Sequence, residues 1–513
     1  MPRRLRDGTL LALSAALLVL PYHFPDLWVL AFFALVPYFF AVSGKFPHQS
    51  FKSSYFFGFL FFAGMGWWLT MVNAFGTVLL TAYLALYFAI FGYLACHFIN
   101  SKDLKSVFFA GAVWTALEYL RGWLIGGLPW ALLSYSQWKN VPFIQIADIV
   151  GAFGVSFLLL ILNLLIFRIL TLARTRQKEA LKFFAVLCLT VGGIVGYGYW
   201  KIDPSEPPTG VERHLRVSVV QGNIPQDQKW NAKIKSIIFE KYKRLTSMAA
   251  LEKADLIIWP ETSFPGYLED EPVLASRLRG VVRQSKADVL VGAPTMGNLD
   301  EGLKFYNSAI LYDSNGEEKK RTHKIHLVPF GEYIPFEPIM GVLRRWVDIG
   351  HFTSGEERTI FVAESHHQPR PVKARFGVLI CFEDIFPWLV HDFSSRGVDF
   401  LVNITNDAWF GKTAAPYQHA AASVFRAVEN RVPVIRAANT GLSCVISPEG
   451  RVLASVSDRG EEIFVTGQTN YELMLKKSSS FYAHFGDLFF LLTVLFCYLA
   501  YRERKKHSGY SQL

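Results

Sequence analysis

Cysteine is scarce. Five in 513 residues are too few for a disulfide framework, and their spacing shows no metal-ligand pattern. Internal repeats and low-complexity segments are lacking too. Acids are nearly missing from the long apolar stretches, where Glu118 and Asp487 stand almost alone. A transporter with a sensing external domain would be expected to carry more intramembrane charge. What is present in excess is apolar surface. With 51% hydrophobic and 15% aromatic residues, the composition excludes an ordinary soluble enzyme.

The apolar residues cluster. Stretches near the roughly 20 residues needed to cross a bilayer lie at about 8–22, 25–43, 54–72, 76–99, 106–124, 150–171 and 182–200, with an eighth at about 483–501. With about eight spans, Arg3, Arg4 and Arg6, Lys45 and Lys52, Lys102 and Lys105, the cations between Arg168 and Lys182, and those from Arg502 to Lys506 all fall on one side. The opposite short connections hold only Arg121 and Lys139. The positive-inside rule then places both termini in the cytoplasm and residues 212–475 outside it. The net charge of +10 is thus a topology signal, and nucleic-acid binding is not expected. The first stretch has a charged leader but no convincing small-residue cleavage site, so it is expected to be a retained helix.

Three parts follow: a membrane domain of seven helices (1–205), an external domain (212–475), and a C-terminal span with a basic tail (481–513). In the external domain, short β-rich runs at 215–220, 256–259, 288–292, 376–381, 400–403 and 434–436 alternate with helical patterns at 231–251, 273–284 and 417–430. Hairpins are expected at 309–326 and 441–456. Strands mixed with helices and hairpins imply a layered α/β domain rather than a pure parallel sheet.

The external domain also carries motifs. Gln221-Gly222-Asn223-Ile224-Pro225-Gln226, Trp259-Pro260-Glu261, Lys324 through Glu332 (Lys-Ile-His-Leu-Val-Pro-Phe-Gly-Glu), Cys381-Phe382-Glu383 and Asn406-Asp407-Ala408-Trp409-Phe410 resemble the carbon-nitrogen hydrolase (nitrilase) superfamily. With the membrane framework, the chain resembles the bacterial apolipoprotein N-acyltransferases within it. The resemblance implies an αββα sandwich for the external domain and a membrane acyltransferase with no metal or organic cofactor. It further implies a phospholipid acyl donor, a diacylglyceryl apolipoprotein acceptor, surrounding membrane lipids, an inner-membrane location with the catalytic domain on the periplasmic side, and a monomer. By the same resemblance Glu261, Lys324 and Cys381 are catalytic, Glu332 and Glu383 are auxiliary acids, and Trp230 lies near the acyl chain. Phe382 stands where many members carry Tyr, so a side-chain role there is in doubt.

Those residue types suit acyl transfer. A thiol is both nucleophile and leaving group but is mostly protonated near neutral pH, so it needs a base and a cation. Glu261 can take the proton, and Lys324 can face the oxyanion together with the backbone N–H after the nucleophile. Taken singly each has a plainer reading: Cys381 as a small buried hydrophobe, Glu261 as a helix N-terminal acid, Lys324 as a solvated hairpin charge, Trp230 as a core residue. A carboxylate near Lys324 would keep that amine charged. His326 is assigned no proton-transfer role, and Cys444 is the one external thiol that could pair with Cys381. The stretch 333–352 mixes apolar residues with Arg344 and Arg345 and suits either a packed helix or an interfacial arm. A membrane-tethered amidase, which passes its acyl group to water, uses the same residues and is the alternative.

Overall fold

The computed structural model describes residues 3–202, 213–229, 231–299, 302–334, 351–365, 367, 371–475 and 479–509. The chain divides into two compact units, Met1–Asp203 with Ser480–Leu513, and Pro204–Ser479.

The first unit is helical: α1 (Arg3–His23), α2 (Val36–Val42), α3 (Pro47–Met65), α4 (Thr70–Asn100), α5 (Leu104–Arg121), α6 (Val141–Ile144), α7 (Ala147–Leu172) and α8 (Gln177–Lys201). Among the described residues five segments are long and apolar enough to cross a membrane: Arg4–His23, Pro25–Val42, Trp67–Asn100, Ala147–Leu172 and Gln177–Lys201. The expected spans at 54–72 and 106–124 fall on α3 and α5, which begin or end several residues from those bounds. Large apolar side chains such as Phe75, Leu189 and Trp200 stand exposed, as a lipid-facing surface requires.

The expected span at 25–43 is not one continuous helix. A 3-10 segment, Pro25–Phe32, leads through a break into α2. A break strands backbone polar groups that lipid cannot satisfy, and buried Asn163 on α7 supplies the partners: its Oδ1 accepts from Leu35 N at 2.9 Å and its Nδ2 donates to Ala31 O at 2.8 Å. Close helix contacts use small residues. A Cβ on Gly92 of α4 would meet Ser54 Oγ of α3 at 2.0 Å, and one on Gly111 of α5 would meet Phe157 of α7 at 2.7 Å.

The second unit is a four-layer sandwich. Its first sheet comprises β1 (His214–Gln221), β2 (Leu256–Ile258), β3 (Asp288–Leu299), β4 (Gly302–Tyr312), β5 (Glu318–His323) and β12 (Gly467–Met474), in the order β12-β1-β2-β3-β4-β5. The second comprises β6 (Ile360–Glu364), β7 (Lys373–Ile380), β8 (Phe400–Thr405), β9 (Val434–Ala438), β10 (Cys444–Ile446) and β11 (Val452–Ser455), in the order β11-β10-β9-β8-β7-β6. Helices α9 (Lys235–Leu251) and α10 (Pro272–Ser285) link the parallel strands β1, β2 and β3, while α11 (Pro387–Ser395) and α12 (Ala415–Asn430) link β7, β8 and β9. The first unit resumes with α13 (Phe481–Phe485) and α14 (Leu488–Gly509).

Alternation decides the layers. On β1, Leu215, Val217 and Val219 face the second sheet's Phe376, Val378, Val402 and Ile435 in one dry core, while Val220 joins Phe239, Tyr242, Leu278 and Val282 under α9 and α10. Both sheets share one strand arrangement, in which a three-stranded parallel centre is followed by two antiparallel strands on one edge and flanked on the other by a single antiparallel strand, the last in the chain in the first sheet (β12) and the first in the second (β6). The arrangement repeats although no sequence repeat marks it.

Some expected boundaries shift. The strand expected at 288–292 continues to Leu299 and pairs with β4 from Val289↔Tyr312 to Leu299↔Gly302. Gly292, Pro294 and Gly297 disguise it, since glycine and proline are poor strand formers that a long hairpin can still absorb. The edge strands β6 and β12 and the short helix α11 were not expected: β12 is largely polar, and β6 and α11 carry an apolar pattern over only five and nine residues. The strand expected at 376–381 ends at Ile380, so Cys381 lies in the turn beyond it.

Candidate active site

Cys381 is the first residue after β7, with φ +58. A left-handed conformation costs a non-glycine residue roughly 1–3 kcal/mol, so neighbouring contacts must impose it. Pairing with β8 reaches Ile380↔Ile404, residues Cys381–Ile385 form a tight 3-10 turn, and Asn403 Nδ2 of β8 donates to the Cys381 carbonyl at 2.7 Å. The residue is half-buried at the carboxyl end of the sheet.

Glu261 follows β2 and Pro260 in a turn that packs on β3. Gly292 is required there, because a Cβ would lie 2.2 Å from the Pro260 carbonyl. Lys324 follows β5, and its N–H donates to the Asn307 carbonyl at 2.7 Å. Both side chains are buried, Glu261 at 6% exposure and Lys324 at 1%.

The charges converge on Lys324. Its Nζ lies 2.9 Å from Glu332 Oε2 and 3.7 Å from Glu261 Oε1. Asn307 Nδ2 spans the same two carboxylates, donating to Glu261 Oε1 at 2.7 Å and Glu332 Oε1 at 3.3 Å. Burial disfavours the ammonium, but Glu332, Cys381 and Glu261 outweigh it and hold the Lys324 pKa above the usual lysine value. At Cys381, burial and the charge of Glu261 push the thiol up while Lys324 pulls it down, and the net direction is upward. The resting group is therefore a thiol, and it needs a base to become a nucleophile.

The two auxiliary acids behave differently. Glu332 pairs with Lys324, as a carboxylate that keeps an amine charged should. Glu383 instead accepts backbone N–H groups from Ile325 at 2.7 Å, His326 at 2.9 Å and Ile380 at 2.7 Å. It ties the Lys324 segment to the end of β7. Burial raises its pKa to about 7 against those hydrogen bonds and the charge of Lys324. Phe382 places its ring 5.4 Å from Lys324 Nζ, a cation–π distance that needs no hydroxyl. His326 packs its ring against Phe386 at 4.0 Å. Cys444 sits buried on β10 and is not bonded to Cys381; burial pushes its thiol up to about 12. Trp230 and residues 335–350 of the expected arm lie outside the described residues.

Sequence reasoning missed several neighbours. Asn307 gives no signal in a strand of mixed composition. Lys229 is buried and donates from Nζ to the Glu261 carbonyl at 3.0 Å; its place three residues after the Gln221–Gln226 motif was the available hint. Behind the nucleophile, His419 contacts Asp384 and Asp407 at 2.9 Å each, and Arg436 Nη1 donates to Asp384 at 2.7 Å. Burial opposes the imidazolium, but Asp384 in particular raises the His419 pKa to about 9.

Comparison with known proteins places this geometry in a family. Residues 216–470 match the carbon-nitrogen hydrolase family and residues 14–165 the apolipoprotein N-acyltransferase N-terminal domain. The apolipoprotein N-acyltransferase of Geobacter metallireducens is 36% identical over 99% of this chain and 97% of its own length. That of Haemophilus influenzae is 30% identical over 92% of this chain and 90% of its own. Among solved structures, an amidase from Nesterenkonia sp. is 20% identical and covers 53% of this chain and 94% of its own, with a TM-score of 0.37. The chain is a membrane protein that belongs to the apolipoprotein N-acyltransferase family.

Proposed function

We propose that this chain transfers a fatty acyl group from a phospholipid, through a thioester on Cys381, to the α-amine of the diacylglyceryl-cysteine of an apolipoprotein. The observation that carries the reading is the buried Lys324 held 3.7 Å from Glu261 and 2.9 Å from Glu332, in electrostatic contact with a thiol at a strained strand end.

Glu261 takes the Sγ proton as Cys381 attacks the ester carbonyl carbon of the phospholipid. Lys324 and the Phe382 backbone N–H face the oxyanion; removing one such donor commonly costs on the order of 3 kcal/mol. Collapse breaks the ester C–O bond, and Glu261 returns the proton to the departing lysophospholipid oxygen. In the second half the neutral amine attacks the thioester carbon, Glu261 accepts the amine proton, the C–S bond breaks, and the proton returns to sulfur. No step calls on a metal or organic cofactor.

The one-sided distribution of Lys and Arg supports an inner-membrane location with the catalytic unit on the periplasmic side. Both substrates are amphiphiles confined to that bilayer, and a monomer carries the whole catalytic set. Steady-state kinetics test the scheme: because the two substrates never need to be bound together, double-reciprocal plots at varied acceptor should give parallel lines, and intersecting lines would contradict it.

A further inference from the structure

Lys229 is the charged group at this site that the scheme above leaves without a task. It lies at 5% exposure and reaches the carbonyl of Glu261, not its carboxylate, with a 3.0 Å hydrogen bond. A neutral amide could make that bond. Burying an ammonium instead is expensive unless nearby anions compensate, and the acidic groups that face it are Glu261, from the turn after β2, and the Cys381 thiol, from the turn after β7.

Charge balance shows what it adds. Glu261 and Glu332 against Lys324 alone would leave the site with one excess negative charge. Creating a thiolate beside an excess anion in a poorly solvated site is unfavourable. With Lys229 ionised, two carboxylates face two ammonium groups. Proton transfer from sulfur to Glu261 then takes place beside two ammonium groups rather than one.

We propose that Lys229 is a positioning residue for acyl transfer, pinning the turn that carries Glu261 through its carbonyl and supplying the second positive charge that stabilises the Cys381 thiolate as it forms. Burial lowers the Lys229 pKa to about 8 while Glu261 and Cys381 hold it up, so the group is an ammonium at neutral pH. The role rests on Cys381 being the nucleophile.

The test uses the full-length protein in detergent. Iodoacetamide alkylation of Cys381, followed on its peptide by mass spectrometry at about pH 7, where Lys229 carries its charge, reads thiolate formation without any acyl donor. Below the thiol pKa this rate falls about tenfold for each unit by which the pKa rises. Lys229→Met removes charge and donor, Lys229→Gln keeps a donor without charge, and Lys229→Arg keeps both. Alkylation and phospholipid acylation are expected to slow by about tenfold or more in the Met and Gln variants and to stay within about threefold in Arg, with KM for phospholipid unchanged. If Met does not fold, the Gln and Arg pair decides. Gln alkylating at the wild-type rate, or Arg slowed as much as Gln, would overturn the role. Normal slowing of alkylation in Gln, with no acylation by the wild-type protein, would instead reject the proposed reaction and leave the electrostatic effect standing.

Discussion

At the residue scale, the site couples a weakly acidic thiol to a carboxylate and a strongly held ammonium. Burial raises the Cys381 pKa, so in the proposed mechanism the thiol gains nucleophilicity as Glu261 removes its proton. Replacing Cys381 with Ala should therefore abolish transfer while leaving the protein folded, as the change removes little volume. Cys444→Ala should keep most activity, because that thiol is buried on β10 and pushed up to about 12. Activity assays on both variants check this; equal losses would point to a structural pair. Glu261, Lys324 and Cys381 stand out in the sequence because motif order survives in one dimension, and the fold brings Lys324 within 3.7 Å of Glu261. Sequence reading could not find Asn307, which acts by bridging two carboxylates from a neighbouring strand, nor separate Glu332 from Glu383, since both are acids a few residues from a catalytic candidate and only their partners distinguish them.

At the element scale, the groups proposed as catalytic stand at the carboxyl ends of strands, and the contacts between those ends hold them in register. Glu383 is the clearest case, joining the segment after β5 to the end of β7 through three backbone N–H groups. Glu383→Gln keeps the shape but turns an NH2 toward at least one of those donors. An unsatisfied buried donor costs about 1–3 kcal/mol, so the variant should unfold at lower temperature and acylate more slowly. A thermal-unfolding measurement in detergent checks the first effect, and an unchanged midpoint would contradict the bracing role. Buried central strands were legible from β-branched runs such as Phe400–Thr405. The edge strands β6 and β12 were not, since β12 is largely polar and β6 alternates over only five residues. The shared strand arrangement of the two sheets was also invisible, because a fold repeats through backbone pairing while its side chains diverge.

At the scale of the whole molecule, the charge pattern along the chain and the helices of the first unit agree on a membrane protein. Apolar length located the helices, but it could not reveal the break between Phe32 and Val36, which depends on Asn163 arriving from α7. The orientation makes a direct prediction: a reporter active only outside the cytoplasm should be active when fused after Trp200 and silent when fused after Arg504. The reverse pattern would contradict the topology.

The central claim is a covalent acyl-enzyme on Cys381. Purified full-length protein should be incubated with a phospholipid of defined chain length, digested, and its peptides weighed, with and without a diacylglyceryl lipopeptide bearing a free amine. An acyl adduct on the peptide containing Cys381 and release of lysophospholipid are expected before any acceptor is added, followed by rapid discharge when the lipopeptide arrives. Glu261→Gln should suppress the adduct by removing the base. Adduct decaying equally fast without acceptor would favour an amidase. Transfer to the lipopeptide with no adduct on Cys381 at any time would contradict the covalent mechanism.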